Sequence, residues 1–398
     1  MVVKTWKTLK PDVAYDSLSF TAILDDRGRI LIPASIRKKL KIKFGSLVLT
    51  TVEPKHKIQH AYDGGDFSID KYGDLSSLDL VRKRHLSIKH PKLVKILKIQ
   101  DEILAALRDF LRQEGFIEIL APIIGPVSDP GIRGAKIASI DYYGVPFKVM
   151  SSMILYKQLA MSSLGKIFAL SPCIRMEPLE TTETGRHLTE FRQLDLEIAE
   201  VGYEDAMIVA ERLIQYVCKK VACACDKELE QLGRKLKIPK IPFKKIKYDE
   251  AIELLKQKGF YVEYGEEIPW EEEKIISEMF DEPFFIYDYP LSSRGFYDRE
   301  DPKRPGILRD FDLIYPEGFG EAVSGGEREH TFEGVVKRME LTKEDSEKYE
   351  WYLEMLKAGI PPSAGFGVGV ERLTRFICGL DKIWEALPFP KVAGVISP

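Results

Sequence analysis

The run SAGFGVGVERLTRF, residues 363–376, constrains this chain more than any other. Gly365, Gly367 and Gly369 alternate along an apolar segment, so one face of a strand here would present no side chains. Glycine packs nothing and loses the most backbone entropy on folding. A strand of this kind must therefore be approached closely by another group. Leu373, Phe376, Ile377 and Leu380 then recur at helical spacing, with Glu371 and Arg372 at the strand-to-helix corner. Alone, the pattern reads as a tight strand–helix packing site. It is not a dinucleotide fingerprint, because the third glycine comes too early and the element lies late in the chain, outside an opening βαβ unit.

The 398 residues suffice for two domains with a sizeable core, and 44% hydrophobic with 30% charged residues is a soluble globular composition. A net charge of −3 implies no global attraction to nucleic acid. Residues 1–50 nevertheless carry ten Lys/Arg against four Asp/Glu. Five unevenly spaced cysteines make no disulfide framework, and the group Cys218, Cys223 and Cys225 reads as helix packing, not as a metal site. With no apolar leader and no run of 18 apolar residues, a reduced, cytoplasmic protein without membrane contact is expected.

Residues 18–52 are strand-like with a short basic helix, and 59–79 reads as a Gly-, Asp- and Ser-rich linker. Leu93, Ile96, Ile99, Ile103, Leu107 and Phe110 predict a helix over 91–114, stopped by Gly115. FIEILAP turns to strand up to Pro122. Further helices are expected over 205–222, 248–258 and about 343–358, with strands at FDLIYP and EAVSGG. Strands separated by long excursions imply an α+β domain around a mostly antiparallel sheet.

Three stretches carry chemistry. In 168–198, Arg175 and Glu177 leave one strand while Arg186, His187 and Phe191 enter the next. A loop too long for a simple hairpin, flanked by arginines and a histidine, suits a polyanion, with Phe191 placed to stack on a flat ring. In 310–329, Asp312 and Glu321 are carboxylates on neighbouring strands, suited to Mg²⁺ beside a triphosphate, and Arg328 follows. SSMILYKQLA, 151–160, starts a helix holding Lys157, by itself an ordinary surface lysine.

Together these stretches resemble the class II aminoacyl-tRNA synthetases. FIEILAP with its preceding helix resembles motif 1, IRMEP…GRHLTEF motif 2 and GVGVERL motif 3. LYKQ, GEAVSGGERE and FIYDYP…FYDRE are similar to the aspartyl/asparaginyl subgroup, over roughly residues 80–398. The resemblance implies a class II antiparallel sheet flanked by helices, activation of an amino acid by ATP, and a homodimer. It places Arg175 on the α-phosphate and Arg372 over ATP near the γ-phosphate, with the glycines letting the strand pass beneath the nucleotide. Phe191 would stack on adenine, and Glu177, Arg186, His187, Glu321 and Gly369 would complete the ATP site. Asp312 and Glu321 would hold Mg²⁺. Lys157 and Arg328 match the pair that grips an aspartate carboxylate, and Ser152, Gln193 and Asp195 complete the amino-acid side.

Two departures shape the functional expectation. The five strands of an anticodon-reading OB barrel are not found in 1–80. Instead DDRGRILIPASIRKKLKIKFGSLV, 25–48, resembles the AbrB/MazE-type swapped-hairpin domain, with Arg27, Arg29, Arg37, Lys38 and Lys39 as candidates for DNA contact, or a hairpin that only dimerises or braces. The expected domains are 1–58, a linker 59–80, and a catalytic domain 81–398. Second, SSMILYKQ puts Ile154 where the synthetases usually have a glutamine, and this form, with SSGGERE-like GEAVSGGERE, resembles a stand-alone archaeal asparagine synthetase related to asparaginyl-tRNA synthetase. The expectation is ATP-dependent conversion of aspartate and ammonia to asparagine. The rivals are a tRNA-dependent synthetase or paralogue, which a basic groove on residues 200–260 would favour, and a DNA-binding regulator with a synthetase-like sensor core.

Overall fold

The computed structural model describes residues 76–130 and 134–398, together with the backbone of three N-terminal strands. These are β1 (Val2–Trp6), β2 (Ser17–Thr21) and β3 (Leu49–Glu53), antiparallel in the order β2-β1-β3. The chain divides into two compact units, Met1–Asp63 and Gly64–Pro398. The basic candidates Arg27, Arg29, Arg37, Lys38 and Lys39 lie outside the described residues.

The second unit is built on eight strands: β4 (Ile117–Glu118), β8 (Lys166–Ile174), β9 (Glu190–Ala199), β10 (Lys244–Lys247), β11 (Phe284–Tyr287), β12 (Asp310–Tyr315), β13 (Gly320–Glu327) and β14 (Ser363–Gly369). Their order is β10-β11-β12-β13-β14-β9-β8-β4, antiparallel in the middle and parallel only at the two outer pairs, β10/β11 and β4/β8. A small sheet of β5 (Ile124–Gly125), β6 (Ser139–Tyr142) and β7 (Val145–Val149) stands beside it. This is the α+β architecture that the spacing of the strands predicts.

Helix α1 (Pro91–Gln113) buries Leu93, Ile96, Ile99, Ile103, Leu107 and Phe110, the stripe read from the sequence, because a 3.6-residue repeat puts them on one face. Proline opens it and Gly115, at φ 81°, ends it. It packs with α3 (Tyr203–Ala224) and the inner residues of β9, β13 and β14 into one core. Fully burying one such side chain contributes about 1.5–3 kcal/mol, so this layer is the stiff support on which the opposite face of the sheet is held. Two expectations are corrected. FIEILAP is strand only at Ile117–Glu118, and Leu120 stands 97% exposed among the described residues. The helix expected near 343–358 begins only at Glu350, after a 3₁₀ turn at Ser346–Tyr349, and runs to Ala358; a separate helix, Phe332–Thr342, capped by Thr331, precedes it. Lys343 turns left-handed between them at φ 58°, which no α-helix tolerates.

Two of the alternating glycines find a reason within the sheet. A Cβ on Gly365 would overlap the Glu197 carboxylate and the Leu196 carbonyl, and one on Gly367 would overlap the Gln193 amide. The close approach to β14 is made by side chains of β9, its neighbour in the sheet. The glycines clear space for a layer of polar side chains lying on the strand itself.

Candidate active site

That layer floors a cavity of about 430 Å³ within the second unit. One end is built by the connection between β8 and β9. Arg175 leaves β8 with its guanidinium over the Phe191 ring at 5.2 Å and its Nε on the Ser151 carbonyl at 3.3 Å. The chain turns through a 3₁₀ segment, Leu179–Thr184, and a left-handed Gly185 before returning as Arg186 and His187. His187 Nδ1 lies 2.8 Å from the Thr184 hydroxyl. Burial pushes the Glu177 carboxyl up, against the pull of Arg175 and Arg372.

The corner read from the sequence closes this end. Gly369 caps helix Val370–Cys378, and Glu371, 1% exposed, accepts the Arg192 N–H at 2.9 and 3.1 Å, tying the start of β9 to the helix. Burial pushes the Glu371 carboxyl up to about 7, opposed by those backbone N–H groups. Arg372 reaches the Glu321 side chain at 3.1 Å and the Glu321 carbonyl at 3.2 Å.

The other end belongs to Lys157, Arg328, Ser152, Gln193 and Asp195, all lining the cavity. Lys157 is no surface lysine. It stands on α2 (Ile154–Leu164), 1% exposed, 3.2 Å from Asp195, 3.5 Å from Glu197 and 3.3 Å from the Phe366 carbonyl. Arg328, 3% exposed, meets Glu197 at 3.1 Å, Asp298 at 3.0 Å and the Gly365 carbonyl at 2.9 Å. The two cations expected to grip a substrate carboxylate thus already have partners within the chain. Three buried carboxylates already surround two cations, so no positive charge is left uncompensated. A further carboxylate would be buried beside others, which is costly.

Of the two acidic metal candidates, Glu321 lines the cavity, while Asp312 lies outside the lining and gives one oxygen to Arg294 at 2.6 Å. Arg294 is a hub that motif reading missed. It is largely buried, also holds Asp310 at 3.1 Å and Glu267 at 2.6 Å, and covers the Tyr289 ring at 4.2 Å. Its only sequence signal is its place in SSRGFYDRE, just ahead of Asp298. Glu273, from helix Trp270–Ser277, was missed too. It takes Arg186 at 2.5 Å and the Glu321 N–H at 2.5 Å, so Arg186 enters the cavity wall already paired. Cys173, the cysteine nearest the site, is buried, and burial pushes its thiol up to about 12, which leaves it without nucleophilic thiolate.

The acidic end is tested for Mg²⁺ by its donors. Among the described residues no group of three or more His, Cys, Asp or Glu side chains is arranged to hold a metal. The buried Oδ1 of Asp312 has no hydrogen-bond partner, and Glu321 faces the cavity. One or two carboxylates fit a magnesium ion that arrives on phosphates, since Mg²⁺ keeps most of its oxygens from elsewhere.

The catalytic unit is similar to a known group of proteins. The family profile for tRNA synthetases class II (D, K and N) matches residues 78–393. An asparagine–tRNA ligase of Pyrococcus abyssi is 36% identical over 337 residues, 84% of this chain and 76% of that protein. One from Desulforamulus reducens is 34% identical over 355 residues, 88% of this chain and 79% of that protein. Among solved structures, the asparaginyl-tRNA synthetase of Pyrococcus horikoshii complexed with asparaginyl-adenylate superposes with TM-score 0.78 at 34% identity, covering 83% of this chain and 76% of that one. The chain belongs to the class II tRNA synthetases of the D, K and N type, a family of ATP-dependent ligases. These relatives overturn the expectation of an aspartate–ammonia ligase. The variant helix SSMILYKQ was too short a signal to separate a stand-alone synthetase of asparagine from a tRNA ligase.

Proposed function

We propose that this chain activates asparagine with ATP and passes it to a tRNA. The observation that carries the choice of amino acid is the compensation of Lys157 and Arg328 by Asp195, Glu197 and Asp298. A neutral amide offers both a donor for the carboxylates and an acceptor for the cations, whereas an aspartate side chain adds a further buried negative charge.

In the first step a carboxylate oxygen of the amino acid attacks the α-phosphorus of ATP. The new C–O–P bond forms as the bond to the bridging oxygen of the β-phosphate breaks, and pyrophosphate leaves with that electron pair. Arg175 faces the charge that builds on the α-phosphate. Arg372 turns from Glu321 to the triphosphate, and Phe191 supplies a flat face for adenine. Glu321, which faces the cavity, would hold Mg²⁺, which when bound neutralises phosphate charge. In the second step a tRNA hydroxyl attacks the acyl carbon, and AMP leaves.

The reading is tested by pyrophosphate exchange with each amino acid, followed by charging of unfractionated tRNA with labelled amino acid. Exchange should run faster with asparagine, and label should appear on RNA. Exchange restricted to aspartate, or no label on RNA while exchange proceeds, would sink it.

A further inference from the structure

Between Glu230 and Asp249 the sequence holds seven basic residues and no acidic one, within a chain of net charge −3. Two of the seven are matched: Arg234 pairs with Glu317 at 2.6 Å and Lys237 with Glu282 at 2.8 Å. Lys235, Lys240, Lys244, Lys245 and Lys247 are exposed, and among the described residues none of them forms an ion pair. Lys244, Lys245 and Lys247 ride on β10, the outermost strand of the large sheet, hydrogen-bonded on one side only. Lys235 and Lys240 lie on the segment leading into it.

This segment is held in place. Gln215 donates to the Pro239 carbonyl at 2.9 Å, and Glu211 accepts the Phe243 N–H at 2.8 Å. Phe243 and Ile246 are buried beneath the lysines. The cations are thus presented from a rigid edge, without the entropy cost of ordering a floppy tail on binding. Lysines on an edge strand also discourage strand pairing between molecules. That role accounts for those on β10 but not for Lys235 and Lys240 before it.

We infer that this edge is a docking surface for the backbone of an RNA chain, a polyanion with regularly spaced phosphates. Residues two apart on a strand lie on one face about 7 Å apart, a spacing that lets Lys245 and Lys247 meet successive phosphates. The free edge of β10 offers main-chain N–H donors beside them. Lysine ammonium groups meet phosphates and not base edges here, so the contact positions RNA without reading its sequence. The inference rests on the proposal that tRNA is the acceptor, and it adds where on the catalytic unit the RNA lies.

The test compares the full chain with a triple variant, Lys244→Gln, Lys245→Gln and Lys247→Gln, using unfractionated tRNA at several salt concentrations. Each phosphate contact contributes about 0.7–0.9 to the slope of log affinity against log salt, so losing the two made by Lys245 and Lys247 should flatten that slope by roughly 1.5–2, Lys244 lying on the other face of the strand over the Phe280 ring. Pyrophosphate exchange should be unchanged. A control triple, Lys303→Gln, Lys337→Gln and Lys348→Gln, makes the same change in net charge elsewhere and should leave the slope alone. A variant binding tRNA with the wild-type slope, or a control flattened equally, overturns the surface while leaving tRNA as acceptor intact. If the wild type neither binds nor charges tRNA while exchange proceeds, tRNA as acceptor fails, and this surface fails with it.

Discussion

Replacing Asp298 by asparagine tests the charge count at the amino-acid end. Asp298 lines the cavity and meets Arg328 at 3.0 Å. Any substrate group that reaches Arg328 from the cavity therefore comes within about 5 Å of the Asp298 carboxylate. Two like charges at ~5 Å repel by about 3 kcal/mol at an effective dielectric constant near 20. Asp298→Asn keeps an oxygen for Arg328 and removes the charge, so two carboxylates then balance two cations. Aspartate should recover about 2–3 kcal/mol of its handicap against asparagine, a shift of roughly 30- to 150-fold in the ratio of kcat/KM values. Arg328 keeps Glu197 and the Gly365 carbonyl, so the loss of stability should stay below the ~3–5 kcal/mol of a fully stripped buried charge. Burial pushes the Asp298 carboxyl up, against Arg328. Lowering the assay pH should accordingly shrink the difference between wild type and variant. Pyrophosphate exchange with each amino acid is the assay, with the urea midpoint as a check on folding. A folded variant whose ratio is unchanged would show that the carboxylates do not set the preference.

Arg175→Ala and Arg372→Ala should each lower exchange by roughly 10²–10³-fold with the fold intact, Arg175 more in kcat, because the proposed reaction puts it at the reacting phosphorus. Wild-type exchange in either would remove that argument. Glu371 has its carboxyl raised from 4.5 to about 7, so its contribution to stability is complete below pH 4.5 and is lost as pH rises through 7. The loss is about 3 kcal/mol. Glu371→Gln should therefore gain on the wild type between pH 4.5 and 8 in urea unfolding, and parallel pH profiles would refute the buried-acid account.

The sequence by itself determined most of the elements and which side chains stand at the ends of the strand–loop–strand and at the strand–helix corner. The 3.6-residue stripe of α1, the break at Gly115, and the strand–loop–strand around Arg175 and Phe191 are local patterns, and local patterns survive in one dimension. The pairing of side chains was decided only by tertiary structure. Lys157 looked like a surface lysine because its partners, Asp195 and Glu197, come from a strand some forty residues away. Arg328 looked like a free carboxylate clamp because Glu197 and Asp298 are brought to it by β9 and by the loop before β12. Even the glycines of β14, conspicuous in the sequence, owe their place to Glu197 and Gln193 across the sheet. Charge compensation depends on distances of a few ångströms between residues remote in the chain, and spacing along the chain carries no such information.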